Sequence, residues 1–293
     1  MTRCDLRVGM IGLGALGLPM AANLRRAAVL LRVHTRSRSA ERDKSLHGTI
    51  ACATPADAAK GVDALVLCVS DNSAVEAVLF GADGACNQLT AGSVVVDCST
   101  IAPATAIACA QRLAQRGIHY LDAPVTGGTE GAKAGSLTVL VGGDPAALER
   151  ARPVLEIIGG TIHHFGAVGR GQQVKAVNQV LVAGSYAAVA EAMALGQRLG
   201  LPMDAVVTAL QGGAAGSWAL SHRANSMLKA HYPLGFRMSL HHKDLGIALD
   251  AAGDVNLDLP VTQLVADLEN GLMEEGHGDE DVSALHCHYG TKS

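Results

Sequence analysis

The chain has 293 residues, 49% of them hydrophobic and 17% charged, which is enough apolar material for two ordinary domains and too much for a disordered protein. A formal net charge of −4 with scattered basic residues leaves no footprint for nucleic acid, so no nucleic-acid partner is expected. Seven cysteines without a CxxC pair, no uninterrupted apolar run of about 18 residues and no signal-peptide layout in "MTRCDLRVGMIGLG" predict a cytoplasmic protein with reduced thiols and no membrane partner.

In chain order, "LRVGMIGLG" reads as a strand and "LPMAANLRR" as a helix. "VLLRVHTRS" is a second strand, and "SAERDKSLHG" a polar helix. "ALVLCVS" and "SVVVDCST" are buried strands by their β-branched content, "HYLDAPVTGG" and "SLTVLVGG" add two more, and "TIHHF" a short last one. Strands alternating with helices predict a largely parallel sheet with helices on both faces. After Gly169 the strands stop, and helical periodicity runs over 170–199, 203–212, 218–229, 237–253 and 260–275. The expected organisation is an α/β domain, a long helix and an all-α domain.

The strongest local signal is Gly12-Leu13-Gly14-Ala15-Leu16-Gly17, closing the first strand and opening the first helix. The first glycine permits a tight turn, the second lets backbone approach a pyrophosphate, and the third lets helix and strand pack closely. Phosphates then meet the positive end of a helix. The second strand should end where an acidic side chain would hold NAD ribose hydroxyls, but "VHTRSRSAE" offers Thr35, Arg36 and Ser37 there, with Arg38 beyond. A guanidinium suits a 2′-phosphate, so NADP is favoured and NAD remains possible. Thr126-Gly127-Gly128 follows a strand end, where backbone N–H groups and a hydroxyl can receive a carboxylate; an ordinary loop fits the same spacing.

"GQQVKAVNQVLVAGSYAAVAEAMALG" carries only two charges, Lys175 and Glu191. Lys175 and Asn178 share a helix face with Gly171. A lysine in an apolar wall can exchange protons; one that snorkels to water is the plainer alternative.

Together these pieces resemble the 3-hydroxyisobutyrate dehydrogenase family of β-hydroxyacid dehydrogenases, which includes tartronate semialdehyde and glyoxylate reductases. "GMIGLGALGLPMAANL", "DCSTIAP", "DAPVTGGTEGAKAGSLTVLVGG", "GRGQQVKAVNQ" and "HHKDLGIAL" each match a family motif, in order, and "GDEDVSALHCHYG" is similar to the family's C-terminal end. The resemblance implies a Rossmann NAD(P)-binding domain over 1–166, a long interdomain helix, and an all-helical substrate and oligomerisation domain over 167–293. It implies an active site in the cleft between them and a homodimer or homotetramer.

Carried over by motif, the resemblance makes Lys175 the catalytic acid/base, Asn178 its substrate-orienting neighbour, and Thr126, Gly127 and Gly128 the carboxylate site. Thr100 and Lys243 become cofactor contacts, and Val69 and Ser70 fall on the adenosine side, where the family often has Leu-Pro. Arg36 matches the arginine that follows an asparagine in NADP-using relatives, and Thr35 replaces that asparagine.

The implied activity is NAD(P)-dependent oxidation of a small β-hydroxy acid or reduction of its semialdehyde. The alternatives are a glyoxylate, succinate semialdehyde or 2-hydroxy-3-oxopropionate reductase, an imine reductase, and a non-catalytic cofactor-binding protein. Trp218, the only tryptophan, is expected either on a mobile loop over the substrate or in the helical core. His286, Cys287 and His288 read as an incidental tail, with no metal site expected.

Overall fold

A computed structural model of the chain describes residues 6–290; Cys4 lies outside them. Two compact units are present, Met1–Lys175 and Ala176–Ser293. In the first, β1 (Arg7–Ile11) leads to α1 (Gly17–Arg26), β2 (Leu30–His34), β3 (Ile50–Ala51), α2 (Pro55–Ala59), β4 (Ala64–Leu67), α3 (Asn72–Phe80) and β5 (Val94–Asp97). Then come α4 (Pro103–Ala114), β6 (His119–Asp122), β7 (Val125–Thr126), α5 (Gly128–Ala134), β8 (Leu137–Val141), α6 (Pro145–Ile158) and β9 (Gly159–His164). Helix α7 (Arg170–Arg198) starts in this unit and continues into the second, which holds α8 (Met203–Gln211), α9 (Trp218–Leu228), α10 (Met238–Gly253) and α11 (Pro260–Glu274).

Six strands form a parallel sheet in the order β3-β2-β1-β4-β5-β6. Its central strands β1, β4 and β5 are buried on both faces, and alternate residues serve different cores. Val8, Met10, Val66 and Val96 pack on one side with Met20 and Leu24 of α1 and Leu155 of α6. Ile11, Leu65, Leu67 and Val95 pack on the other with Val75 of α3 and Leu113 of α4. The strand order reverses between β1 and β4, and the crevice at such a switch point, beyond the carboxyl ends of the strands, is where open α/β sheets bind ligands. The helical unit has its own core around Tyr186, Met193, Met227, Leu245 and Leu272.

Two local expectations need correction, and two features were not legible in the sequence. "SAERDKSLHG" is two 3₁₀ turns, 40–42 and 44–46, because extended Asp43 interrupts the run and accepts a bond from the Ser45 amide. "HYLDAPVTGG" is two strands in different sheets. After Asp122 and Pro124 the chain leaves the large sheet, and β7 pairs antiparallel with β8 in a smaller sheet that β9 joins in parallel. The two-residue edge strand β3 is too short to leave a pattern in the sequence. Finally, α7 is long and apolar enough by length and composition to cross a bilayer, which counting uninterrupted apolar residues does not reveal. Of its most apolar window 44% is buried inside the protein.

Candidate functional site

The glycine turn after β1 has the form a dinucleotide needs. Gly12 has φ +95°, and a Cβ there would overlap the Cys68 carbonyl at the end of β4. A Cβ on Gly17 would overlap the Gly12 carbonyl, so this glycine brings the start of α1 against the strand end. Gly14 differs: a Cβ there meets nothing within 4 Å, and Gly14 and Ala15 are exposed. Leu16, the N-cap of α1, makes no side-chain cap bond and the first turn holds no acidic residue. Uncapped amides at a helix start beside an open backbone face fit a pyrophosphate.

Beyond β2 the structure holds an acid that the sequence reading missed. Glu41, whose side chain is 3% exposed, accepts the Thr35 amide at 3.0 Å and pairs with Arg38 at 2.9 Å. The signal was available, since Glu41 lies six residues beyond Thr35, but only the turn geometry brings it back. The Thr35 hydroxyl sits 3.5 Å from the Leu13 amide, joining this turn to the glycine turn. Ser37 reaches only Ser39, at 3.2 Å. Arg36 is exposed and makes no hydrogen bond or ion pair among the described residues; with His34, Arg38, Ala53, Val78 and Asp83 it lines an open groove of about 530 Å³.

The ends of β4 and β5 are tied together. The Val69 amide donates to Ser99 Oγ at 3.0 Å, the Ser99 amide to Asp97 Oδ1 at 2.9 Å, and the Tyr120 hydroxyl to Asp97 Oδ2 at 2.8 Å. Ser70 is exposed beside Val69, and Thr100 is part-exposed beside Ser99. Cys68 offers no thiolate here, because burial pushes its thiol up to about 12.

The second glycine turn adjoins the lysine. Gly127 and Gly128 both have positive φ, 128° and 64°, and follow Thr126 at the end of β7. Lys175 is 7% exposed, so its ammonium does not snorkel to water; Nζ donates to the Val125 carbonyl at 3.0 Å, one residue before Thr126. Buried Asp122, which the sequence reading did not single out, accepts the Gly169 amide at 2.8 Å and the Gln172 amide at 2.9 Å. Burial raises its carboxyl to about 6 against the pull of those N–H groups. Gln172 bonds the Ser99 carbonyl at 2.8 Å and the Ile101 amide at 3.2 Å, on either side of Thr100.

In the helical unit, Asn178 and Lys243 belong to one polar chain through two buried residues that were not foreseen. Asn178 donates to Gln179 at 2.7 Å, Gln179 to Asp244 at 2.7 Å, and Lys243 pairs with Asp244 at 2.8 Å. Trp218 lies neither on a mobile loop nor in the core. It opens α9, is 42% exposed, stacks on His222 at 4.4 Å and lies beneath the Arg223 guanidinium at 4.7 Å. Of His286, Cys287 and His288, only Cys287 joins a group with metal-ligand chemistry, its partners being His277 and Glu280, and those two already pair at 2.8 Å.

The chain matches the family described as the NAD binding domain of 6-phosphogluconate dehydrogenase over residues 7–166. It matches the NAD-binding region of NADP-dependent 3-hydroxyisobutyrate dehydrogenase over 169–289. It is 38% identical to 2-hydroxy-3-oxopropionate reductase of Escherichia coli over 280 residues, covering 96% of both chains. It is 36% identical to 2-(hydroxymethyl)glutarate dehydrogenase of Eubacterium barkeri over 282 residues, covering 96% of this chain and 94% of the relative. The crystal structure of 3-hydroxyisobutyrate dehydrogenase from Salmonella typhimurium superposes with a TM-score of 0.90 at 32% identity, covering 97% of this chain and all of that one. The chain therefore belongs to the 3-hydroxyisobutyrate dehydrogenase family of β-hydroxyacid dehydrogenases, NAD(P)-dependent oxidoreductases acting on a hydroxyl-bearing carbon.

Proposed function

We propose that the protein interconverts a small β-hydroxy acid and its semialdehyde using NADP(H), with Lys175 as the general acid/base. The observation that carries this reading is the buried Lys175 ammonium, held 3.0 Å from the Val125 carbonyl beside the Thr126–Gly128 turn. The substrates named for the three relatives share a carboxylate and, on the β carbon, a hydroxyl or aldehyde oxygen. One end of such a molecule needs an anion site and the other a proton relay. The turn supplies the first through the Thr126 hydroxyl and the amides of its two positive-φ glycines. Lys175 supplies the second.

A nicotinamide cofactor held at the Gly12–Gly17 turn would supply the hydride acceptor for the carbinol carbon or the hydride donor for the aldehyde carbon. In oxidation Lys175 Nζ receives the hydroxyl proton; in reduction it returns one and its charge stabilises the developing alkoxide. Asn178, three residues along α7, shares the helix face of Lys175 and orients the same oxygen. Trp218, 42% exposed, is the proposed wall for the substrate, and Thr100, Val69, Ser70 and Lys243 are the proposed cofactor contacts beyond the glycine turn. NADP is preferred over NAD because Arg36 is free to meet a 2′-phosphate, whereas Glu41 is spent on the Thr35 amide and Arg38.

Six described cysteines are all free, which supports a reducing, cytoplasmic setting. Val177, Leu181 and Leu195 on α7 and Leu199 just beyond it, each more than half exposed, support a homodimer or homotetramer. The second reading, reduction of 2-hydroxy-3-oxopropionate, is favoured by the 38% identical relative and uses the same groups in the reducing direction.

The test is a panel of β-hydroxy acids, each with its methyl ester and its diol, assayed with NADP and NAD separately. Donors left unpaired by a neutral analogue penalise it strongly, so the free acid is expected to exceed its ester by about 10²-fold or more in kcat/KM. An ester turned over as well as the acid overturns the carboxylate site.

A further inference from the structure

The proposed acid/base, Lys175, lies in the second turn of α7, and something must set where that turn stands. We propose that Asp122 is the positioning residue for Lys175, fixing the start of α7 so that the ammonium stays beside the Thr126–Gly128 turn. This inference rests on the reading of Lys175 as the acid/base.

The geometry is a closed loop. Asp122 is 0% exposed, and its backbone is locked to Gly142, whose carbonyl accepts the Asp122 amide at 3.1 Å and whose amide donates back at 2.8 Å. From that fixed point the two carboxylate oxygens each take one amide at the head of α7, those of Gly169 and Gln172. Gly171 makes the close approach possible, since a Cβ there would overlap the Leu140 carbonyl and come within 2.7 Å of the Asp122 carbonyl. Three residues after Gln172 comes Lys175, and three residues after Asp122 comes Val125, whose carbonyl holds Nζ. The short segment 122–125 therefore grips both the helix start and the lysine tip.

Such a grip needs an ionised carboxylate. Each oxygen faces an N–H, so a protonated Asp122 would turn a hydroxyl toward a donor and lose one bond. A carboxylate at the first turn of a helix also complements the helix dipole. The titratable groups around it are Asp97 on the neighbouring strand, opposite Asp122 in register, Tyr120 with its hydroxyl on Asp97, and Lys175 one turn along α7. Burial first, and Asp97 in addition, hold the Asp122 carboxyl at about 6, so the grip is complete above that pH and is lost as pH falls through it.

The experiment compares Asp122→Asn and Lys175→Ala with the parent, reading NADPH affinity by fluorescence titration, kcat per titrated cofactor site, and kcat against pH. Asp122→Asn is expected to keep NADPH affinity within about threefold, to lose roughly 10–100-fold in kcat, and to lack the acid limb that the parent shows near pH 6. A merely structural role would lower the melting temperature and the yield of folded sites, but not kcat per site or the limb. A folded Asn variant with parental kcat and an intact limb overturns the proposal. If Asp122→Asn does not fold, amide hydrogen exchange at Gly169 and Gln172 in the parent decides. Their protection must fall together with kcat as pH drops through about 6, and protection that persists while kcat falls overturns it. Lys175→Ala at parental turnover defeats the acid/base reading itself, whereas an inert Lys175→Ala beside an unimpaired Asp122→Asn defeats only the positioning role.

Discussion

Gly12–Gly17 and Thr126–Gly128 both carry the chain from a strand end into a helix through glycines with positive φ, yet they are built differently. The first opens the ten-residue α1 and leaves Gly14 facing open space. Its function is in its backbone, which is why six residues of sequence announce it. The second opens α5, only seven residues long, and a Cβ on Gly127 or Gly128 would come within 3.3 Å or 3.0 Å of Leu137 or Glu130. That turn gains chemical meaning from Lys175, which lies about fifty residues away in sequence and is brought to it by the bond to Val125. The contrast teaches that the proposed phosphate-binding turn is local, while the proposed acid/base beside a proposed anion-binding turn must be assembled by the fold.

The sharpest way to break this comparison is at the first turn. Gly12→Ala forces a Cβ into the Cys68 carbonyl at φ +95°, and roughly 2–5 kcal/mol of stability should be lost to strain and overlap. Gly14→Ala should leave the melting temperature near the parent's, because its Cβ meets only open space, and should instead weaken NADPH binding by about tenfold or more. Thermal unfolding and cofactor titration of both variants check this. Equal effects on stability would mean that Gly14 is a structural glycine like its neighbours.

The legibility of the two regions follows the same division. The buried apolar runs of β1, β4 and β5 and the helical spacing in α7 to α11 were readable, because each pattern is written within a few consecutive turns or strands. The split of "HYLDAPVTGG" between two sheets was not, since it depends on which strands β6 and β7 find as partners. The lysine drew attention as a charge in an apolar stretch, but its burial and its Val125 partner could not be read from helix 170–198 alone. Glu41, Asp122, Gln172, Gln179 and Asp244 share a different obscurity. They are ordinary polar residues by composition, and only folding turns them inward to hold backbone amides or the side chains that carry function.

At the β2 end the comparison can be refined by a smaller effect. Arg36 makes no ion pair among the described residues, whereas Arg38 is tied to Glu41. Arg36→Ala is therefore expected to weaken NADPH binding by roughly 1.5–3 kcal/mol and NADH binding by much less, while Arg38→Ala costs less toward either cofactor. Titrating both cofactors into both variants measures the difference. Equal losses of NADPH and NADH on removing Arg36 would leave it a solvated turn residue.

The central claim is that the buried Lys175 side chain, as the neutral amine in oxidation and the ammonium in reduction, moves the proton that accompanies hydride transfer. Single-turnover oxidation of the preferred β-hydroxy acid by Lys175→Ala, followed by NADPH absorbance with cofactor saturated, tests it most directly. The account predicts a folded protein that binds NADPH with near-parental affinity and transfers hydride at least about 10²-fold more slowly. Lys175→Arg should not recover the rate, because a guanidinium stays protonated and cannot serve as the base. A single-turnover rate in Lys175→Ala within a few-fold of the parent would contradict the account.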